Sequence, residues 1–161
     1  MRNKSIFRGF SNLLFIGLLI FFAFYIFGTM HVHVDNISMT PTFQEGQKLL
    51  LLKSNICKFK KNDIVVFKAP DKSDEFYLKR IVAVQNDIVE IDKGALLING
   101  INDDTNLIFG KMPNEEFYYK VEANRYFMLS DNRKLENVKD SRNFGSIEKK
   151  NIIGKVILKL K

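Results

Sequence analysis

The feature that most limits what this chain can fold into is an uncharged apolar run from Leu13 to Met30, LLFIGLLIFFAFYIFGTM. At about 1.5 Å rise per residue a helix of this length extends about 27 Å, close to the ~30 Å hydrocarbon core of a bilayer. The run has no polar face, which a helix lying on a soluble core would show. Arg2, Lys4 and Arg8 precede it, and the first acid after it is Asp35. Basic flanks stay on the cytoplasmic side. The pattern predicts a cytoplasmic basic N-terminus over 1–10, a single transmembrane anchor over 11–30, and an extracytoplasmic domain over 31–161. A cleavable secretory leader shares the basic start, but its apolar core is about 7–15 residues and ends at a small-x-small site. This run is longer, and no such site follows it.

Of 161 residues, those after the anchor suffice for one modest domain. The formal charge of +7 suits nucleic acid, an anionic membrane surface or plain solubility. No Arg-rich block or aromatic-interleaved basic motif is present, so nucleic acid is set aside as a partner. Cys57 is the only cysteine, which excludes an intrachain disulfide. His31 and His33 could face one metal from a strand, but no third ligand is near, and they read as polar residues at the membrane interface. No metal or cofactor is expected.

Beyond the anchor the chain reads as strands. His31–Asp35 alternates. Gln47–Lys53 is a short apolar run between lysines, read as a buried strand rather than a segment resting on the bilayer. Asp63–Lys68 is β-branched and closes on an Ala69-Pro70-Asp71 turn. Phe76–Gln85 follows, with Tyr77, Lys79, Ile81 and Ala83 expected on one face and Phe76, Leu78, Arg80, Val82 and Val84 on the other. Asn86-Asp87 turns into Ile88–Ile91, Ala95–Ile98 comes next, and Asn99-Gly100 is a hairpin signal. Residues 102–113 read as loop, Phe117–Val121 and Arg125–Leu129 as strands, and Ser130–Gly145 as a loop held by charges. Ile152–Leu160 closes the chain with Val156, Leu158 and Leu160 expected on one face. No helix is expected after the anchor. The fold class is mainly β: a single transmembrane helix followed by one antiparallel β domain.

Five segments then stand in a telling order: Ser38-Met39-Thr40-Pro41-Thr42, Asp63-Ile64-Val65-Val66-Phe67, Tyr77-Leu78-Lys79-Arg80-Ile81, Ser130-Asp131-Asn132-Arg133 and Asp140-Ser141-Arg142-Asn143-Phe144-Gly145. In this order they resemble the type I signal peptidases, the bacterial leader peptidase or Ser–Lys dyad family, over nearly the whole chain, anchor included. Each motif alone is weak or moderate; together they are specific. The resemblance implies a membrane-bound serine endopeptidase that removes signal peptides from secreted preproteins at the outer membrane–water interface. It implies Ser38 as nucleophile and Lys79 as general base, acting through an acyl-enzyme. Its partners would be signal-peptide-bearing preproteins, the lipid bilayer and, as a further partner, the secretion machinery. It also implies small residues at the −1 and −3 positions of the substrate.

The chemistry agrees with the residues. A serine hydroxyl needs a neighbouring base, and a lysine can be that base only when neutral, far below its ordinary pKa of about 10.4. Burial between Tyr77 and Ile81 is the kind of setting that lowers it. The oxyanion needs hydrogen-bond donors: the Ser38 N–H is one candidate. The resemblance implies a second donor at the position two before the nucleophile, here the Asn36 carboxamide. Met39 and Pro41 are expected to support the nucleophile turn. Arg80, turned away from Lys79, is expected to pair with Asp131 or Asp140; Asp140 and Arg142 resemble the family's ion-paired support for the site, and Ser141, within the same motif, is expected to support it too. Two positions depart from the family pattern: Ser130 stands where Gly is usual, and Val138 where a serine contacts the lysine. The segment between Lys79 and Asp131 is also short.

Alternatives with the same fold are a peptidase dedicated to one surface or pilus-type protein, and a mitochondrial inner-membrane relative. Microsomal and archaeal relatives carry His where this chain has Lys79, and repressor-type Ser–Lys proteases begin with a DNA-binding domain. A non-catalytic tethered scaffold is the alternative of another class, though such relatives usually lose the serine or the lysine. A Ser-x-x-Lys acyl-enzyme is excluded, because Pro41 stands three residues after Ser38.

Overall fold

The computed structural model describes residues 2–70, 75–103, 105, 109–113 and 116–160, with side chains from Asn12 onward. It opens on one long helix, α1 (Arg2–Gly28). Every side chain described between Asn12 and Phe27 is exposed. Among the described residues no helix is long and apolar enough to cross a membrane. The side chains of Arg2, Lys4 and Arg8 lie outside the described ones. α1 runs straight into β1 (Thr29–His33), two residues before the expected domain boundary. Its open C-terminus is satisfied locally: Thr29 Oγ1 donates to Tyr25 O at 2.6 Å and the Lys53 ammonium to Phe27 O at 2.9 Å. A cation is well placed at the negative end of a helix.

The remaining strands are β2 (Lys48–Lys53), β3 (Ile64–Lys68), β4 (Phe76–Val84), β5 (Ile88–Asp92), β6 (Ala95–Ile98), β7 (Ile101–Asn102), β8 (Phe117–Lys120), β9 (Arg125–Leu129), β10 (Ile147–Glu148) and β11 (Ile152–Lys159). They form a seven-stranded sheet in the order β1-β2-β11-β3-β4-β9-β10 and a four-stranded sheet in the order β7-β6-β5-β8. All pairings are antiparallel. The Asn99-Gly100 signal closes β6 onto β7, with φ of 55° and 77°, as a tight hairpin requires. Three apolar clusters hold the layers together. One joins β4 and β9 to the small sheet through Val82, Ala83, Val89, Leu96 and Phe127. A second packs Val65, Phe67, Ile81, Met128 and Ile152 on one face of the large sheet. The third packs Val34, Met39, Phe43, Leu49, Leu51 and Val66, so Leu49 and Leu51 of β2 belong to the core.

Several expectations change. The register of β4 against β9 shifts between Ile81 and Ala83. One extra residue re-aims every side chain beyond it, so Ala83 joins Val82 in the small-sheet cluster while Val84 packs with Ile81. β11 shifts against β2 between Val156 and Leu158, which breaks the expected alternation of Val156, Leu158 and Leu160 on one face, and Leu158 is 53% exposed. The stretch 130–145 is not all loop: Ser141–Phe144 forms a single helical turn, α2, initiated by Asp140. β10 and β7 are two-residue strands too short for a periodic signal. The expected 102–113 loop is not all loop either, since Asn102 belongs to β7 and the described Thr105 and Phe109 are helical; Asp71 of the expected turn, and residues 104 and 106–108, lie outside the described residues.

Gly154 sits where β11 passes between β2 and β3. A Cβ there would stand 2.6 Å from Leu52 O and 3.4 Å from Leu51 Cβ. Backbone cannot yield as a side-chain tip can, so Gly154→Ala is expected to destabilise the domain by about 1–3 kcal/mol, read as a lowered midpoint in thermal or denaturant unfolding.

Candidate active site

Ser38 lies in a short 3-10 turn, Ile37–Met39, between β1 and β2. Asn36 starts the turn: its carboxamide oxygen accepts the Ser38 N–H at 2.9 Å. This corrects the expected arrangement of donors, because Asn36 presents its oxygen, and the Ser38 N–H already has an acceptor. Short polar side chains favour this capping role at turn entries. Met39 is 1% exposed and anchors the turn in the third cluster. Pro41 follows a cis peptide bond and faces solvent.

The turn is clamped from across the fold by a residue to which the motif reading gave no role. Asn132 N–H donates to Ser38 O at 2.9 Å, and its side-chain amide donates to Thr40 Oγ1 at 2.9 Å and to Ile37 O at 3.3 Å. Asn132 follows directly on Asp131, which is fully buried and takes a bidentate pair from Arg80, both bonds 2.7 Å. Thr42 donates to the same carboxylate at 2.5 Å. Of the two partners open to Arg80, the fold uses Asp131.

Lys79 comes from the middle of β4 and is 3% exposed. Its Nζ donates to Ser38 Oγ at 2.9 Å and lies 5.8 Å from the centre of the Tyr77 ring. Burial brings its pKa down from 10.5 to about 8, against the pull of Asp140 and Asp131 and with a smaller push from Arg142. Desolvation disfavours the charged form, and here it outweighs two carboxylates. Asp140 is buried at the start of α2, where it accepts the Arg142 N–H, the Arg142 guanidinium at 2.9 and 3.0 Å, and the Ser130 N–H at 3.2 Å. Ser141 Oγ accepts the Met128 N–H at 2.9 Å, tying α2 to β9. The structure thus brings Ser38, Lys79, Asn36, Met39, Arg80, Asp131, Asp140, Ser141 and Arg142 around one centre. The support missed from sequence, Asn132 and Thr42, lay inside the quoted motifs. His31 and His33 are exposed, and among the described residues no group of side chains could hold a metal ion.

A cleft of about 420 Å³ is lined by Met30 and Val32 of β1, Val66 of β3, Phe76 and Leu78 of β4, and Ile153 of β11. Its lining is mostly apolar, with His33 and Asp35 among it, and includes Tyr77 and Leu78, the two residues that precede Lys79 on β4.

A buried serine–lysine pair on an antiparallel β scaffold, with arginine-held carboxylates behind it, is the chemistry of a serine hydrolase. The family model for signal peptidase, peptidase S26, matches residues 7–160. Signal peptidase I V of Bacillus subtilis is 33% identical over 138 residues, 75% of this chain and 79% of that protein. The chloroplastic thylakoidal processing peptidase 1 of Arabidopsis thaliana is 31% identical over 139 residues, but this chain spans only 40% of its length. Among solved structures, a signal peptidase I of Enterococcus faecalis superposes with a TM-score of 0.52 at 26% identity, covering 63% of this chain and 99% of that one. The chain belongs to the signal peptidase family, peptidase S26, and is a hydrolytic enzyme of that family.

The lowered Lys79 value has a consequence for stability. A base whose folded pKa lies below its unfolded value disfavours folding fully below the folded value, and the deficit disappears as pH rises through the unfolded one. The shift from 10.5 to about 8 corresponds to roughly 3 kcal/mol at pH 7. Lys79→Met is therefore expected to be more stable than the parent at pH 7 by about 1–3 kcal/mol, after loss of the hydrogen bond to Ser38. In denaturant unfolding the gain should shrink to under about 1 kcal/mol at pH 10. A variant less stable at pH 7 would mean that partners, not burial, govern this amine.

Proposed function

We propose that the chain is a membrane-bound signal peptidase in which Ser38 is the nucleophile and neutral Lys79 the general base. The observation that carries this reading is the 2.9 Å contact between the buried Lys79 amine and Ser38 Oγ. In the neutral form the roles reverse: Ser38 O–H donates to the lysine lone pair. As Oγ attacks the substrate carbonyl, Lys79 takes the proton and later returns it to the leaving amine. Water, activated by the same amine, then releases the acyl group. At the oxyanion, the developing negative charge would displace the Asn36 oxygen from the Ser38 N–H. A half-turn of that carboxamide would present its NH₂ as the second donor.

The cleft supports a substrate held extended. Among the described residues β1 pairs only with β2, so its other edge can take a further strand. The lining is mostly apolar, as short small side chains entering from a signal peptide would need. Small residues at −1 and −3 are the expectation this reading keeps. α1 supports an anchor. It spans 27 residues, about 40 Å at 1.5 Å per residue, and its described part from Leu13 to Phe27 exposes a continuous apolar surface. Basic Arg2, Lys4 and Arg8 favour a cytoplasmic N-terminus. The protein would sit in the plasma membrane as a single-pass protein, its β domain outside, with preproteins, the bilayer and the secretion machinery as partners.

The full chain in detergent should cleave a secretory preprotein after a small-x-small site, and Ser38→Ala and Lys79→Ala should each lose at least about 10³-fold in kcat/KM. Persistent cleavage by the Lys79 variant would refute the dyad. Equal inactivity of all three on several preproteins would leave a dedicated substrate or a scaffold. Because the base must be neutral, kcat/KM should rise about tenfold per pH unit below the lysine value near 8 and level off above it. The mass of the membrane-extracted chain should include residues 1–30; a product beginning near His31 would refute the anchor.

A further inference from the structure

Ser130 is fully buried just beyond the end of β9, and among the described residues its Oγ has no hydrogen-bond partner. A buried hydroxyl left unpaired is unfavourable, and such groups in folded proteins call for a reason. Register supplies one. β4 and β9 are antiparallel with Arg80 opposite Leu129 and Ile81 opposite Met128. One step further along, Ser130 stands opposite Lys79. Directly opposed residues of an antiparallel pair project to the same face. Ile81 and Met128 share the cluster that also contains Val65 and Phe67, and Lys79 and Ser130, two residues from each, return to that face. On its other side Lys79 opposes Val65, which has no polar side-chain atom.

The backbone of Ser130 is fixed at both ends, its N–H on Asp140 at 3.2 Å and its carbonyl receiving Arg133 Nε at 2.7 Å. The hydroxyl alone is left to turn. We propose that Ser130 is a positioning residue for Lys79: its Oγ accepts an N–H of the amine during turnover and so aims the lone pair at Ser38. This inference rests on the reading of Lys79 as the base. A neutral amine has one lone pair and two N–H bonds, and whatever accepts an N–H sets the rotation about Cε–Nζ. Once the Ser38 proton has arrived, the same oxygen holds the ammonium until the proton passes to the leaving amine. Ser130 itself gains and loses nothing.

The other groups bearing on Lys79 remain in a Ser130 variant: Asp140 and Asp131 favour its charged form and Arg142 opposes it, with the Tyr77 ring beside it and Val65 opposite. Arg80 is committed to Asp131 on the opposite face. Removing one acceptor of the ammonium should therefore move the acid limb of the kcat/KM profile to lower pH, while poorer aim lowers kcat.

The test compares the full-length parent, Ser130→Ala, Ser130→Gly, Ser38→Ala and Lys79→Ala on one preprotein, with kcat, KM and pH profiles and a thermal-unfolding check. We expect Ser130→Ala to lose about 10-fold or more in kcat with KM within about twofold, and its acid limb to shift down by a few tenths of a unit. A folded Ser130→Ala with kcat within about twofold of the parent and an unmoved limb would overturn the proposal. Ser130→Gly serves the same test should the alanine variant not fold; failure of both to fold would assign Ser130 to the core and also overturn it. If Lys79→Ala keeps its activity, the dyad fails and this role with it. If Lys79→Ala is inactive and Ser130→Ala is not impaired, only the Ser130 role fails.

Discussion

The arrangement depends on keeping one amine out of water. An isolated buried ammonium is unfavourable by several kcal/mol, and a fold that tolerates it must either neutralise it with a dedicated carboxylate or let its pKa fall. This fold does the second. Both nearby carboxylates are already committed, Asp131 to Arg80 and Asp140 to Arg142. Both carboxylates still favour the charged amine, but each is offset by the guanidinium it holds, and burial outweighs what remains. Without the arginines, two buried negative charges would hold Lys79 protonated. The arginines therefore matter to the amine although neither forms a hydrogen bond to it in the structure. They also leave desolvation as the dominant influence on its charge.

The sheet order explains how five distant segments meet. β4 carries Lys79 between β3 and β9, the end of β9 delivers Ser130 to Asn132, and α2 folds back so that Ser141 caps a β9 amide. Asn132 then reaches the Ser38 turn. The connection between β7 and β8 contributes from behind. Phe109 lies under two guanidinium groups, 5.1 Å from Arg80 and 5.7 Å from Arg133, and Arg133 is buried with its Nε on the Ser130 carbonyl. A change in that hinterland reaches the site through backbone already hydrogen-bonded at both ends, so the route is short and stiff.

Much of this was legible in the sequence, for identifiable reasons. Strands such as 64–68 and 88–92 announce themselves by β-branched runs, and Asn99-Gly100 by the positive φ it alone accommodates cheaply. The proximity of Ser38 to Lys79 was legible only through the joint order of the motifs, since no periodicity links residues 41 apart. What was not legible depends on register. A bulge adds one residue without a compositional mark, so the side-chain sides of Ala83 and Val84 could not be read from alternation. The break in alternation at Leu158 has the same origin. α2 is one turn long, below the length at which apolar spacing speaks; its sign was Asp140 three residues before Asn143, which together form a capping box. The sequence cannot say which end of the Asn36 carboxamide is used, because it has both a donor and an acceptor; only the position of the Ser38 N–H decides that its oxygen faces it.

The junction between α1 and the β domain restricts where a substrate could be met. No linker separates them: Gly28 ends the helix and Thr29 begins a strand paired with Leu52. The last turn of the helix is bound to the sheet through Lys53 on Phe27 O, and a side chain at Gly28 would press on Ile56 at 3.0 Å. A tether of that kind transmits orientation as well as position. Met30 and Val32, two and four residues beyond the helix, already line the cleft. At about 3.3 Å per strand residue the cleft mouth begins within roughly 15 Å of the helix end. On the anchored reading, a segment leaving the bilayer beside α1 would need only a few extended residues to reach the cleft. A long flexible linker would give up that advantage to chain entropy, which is a physical reason for the helix and the first strand to be continuous.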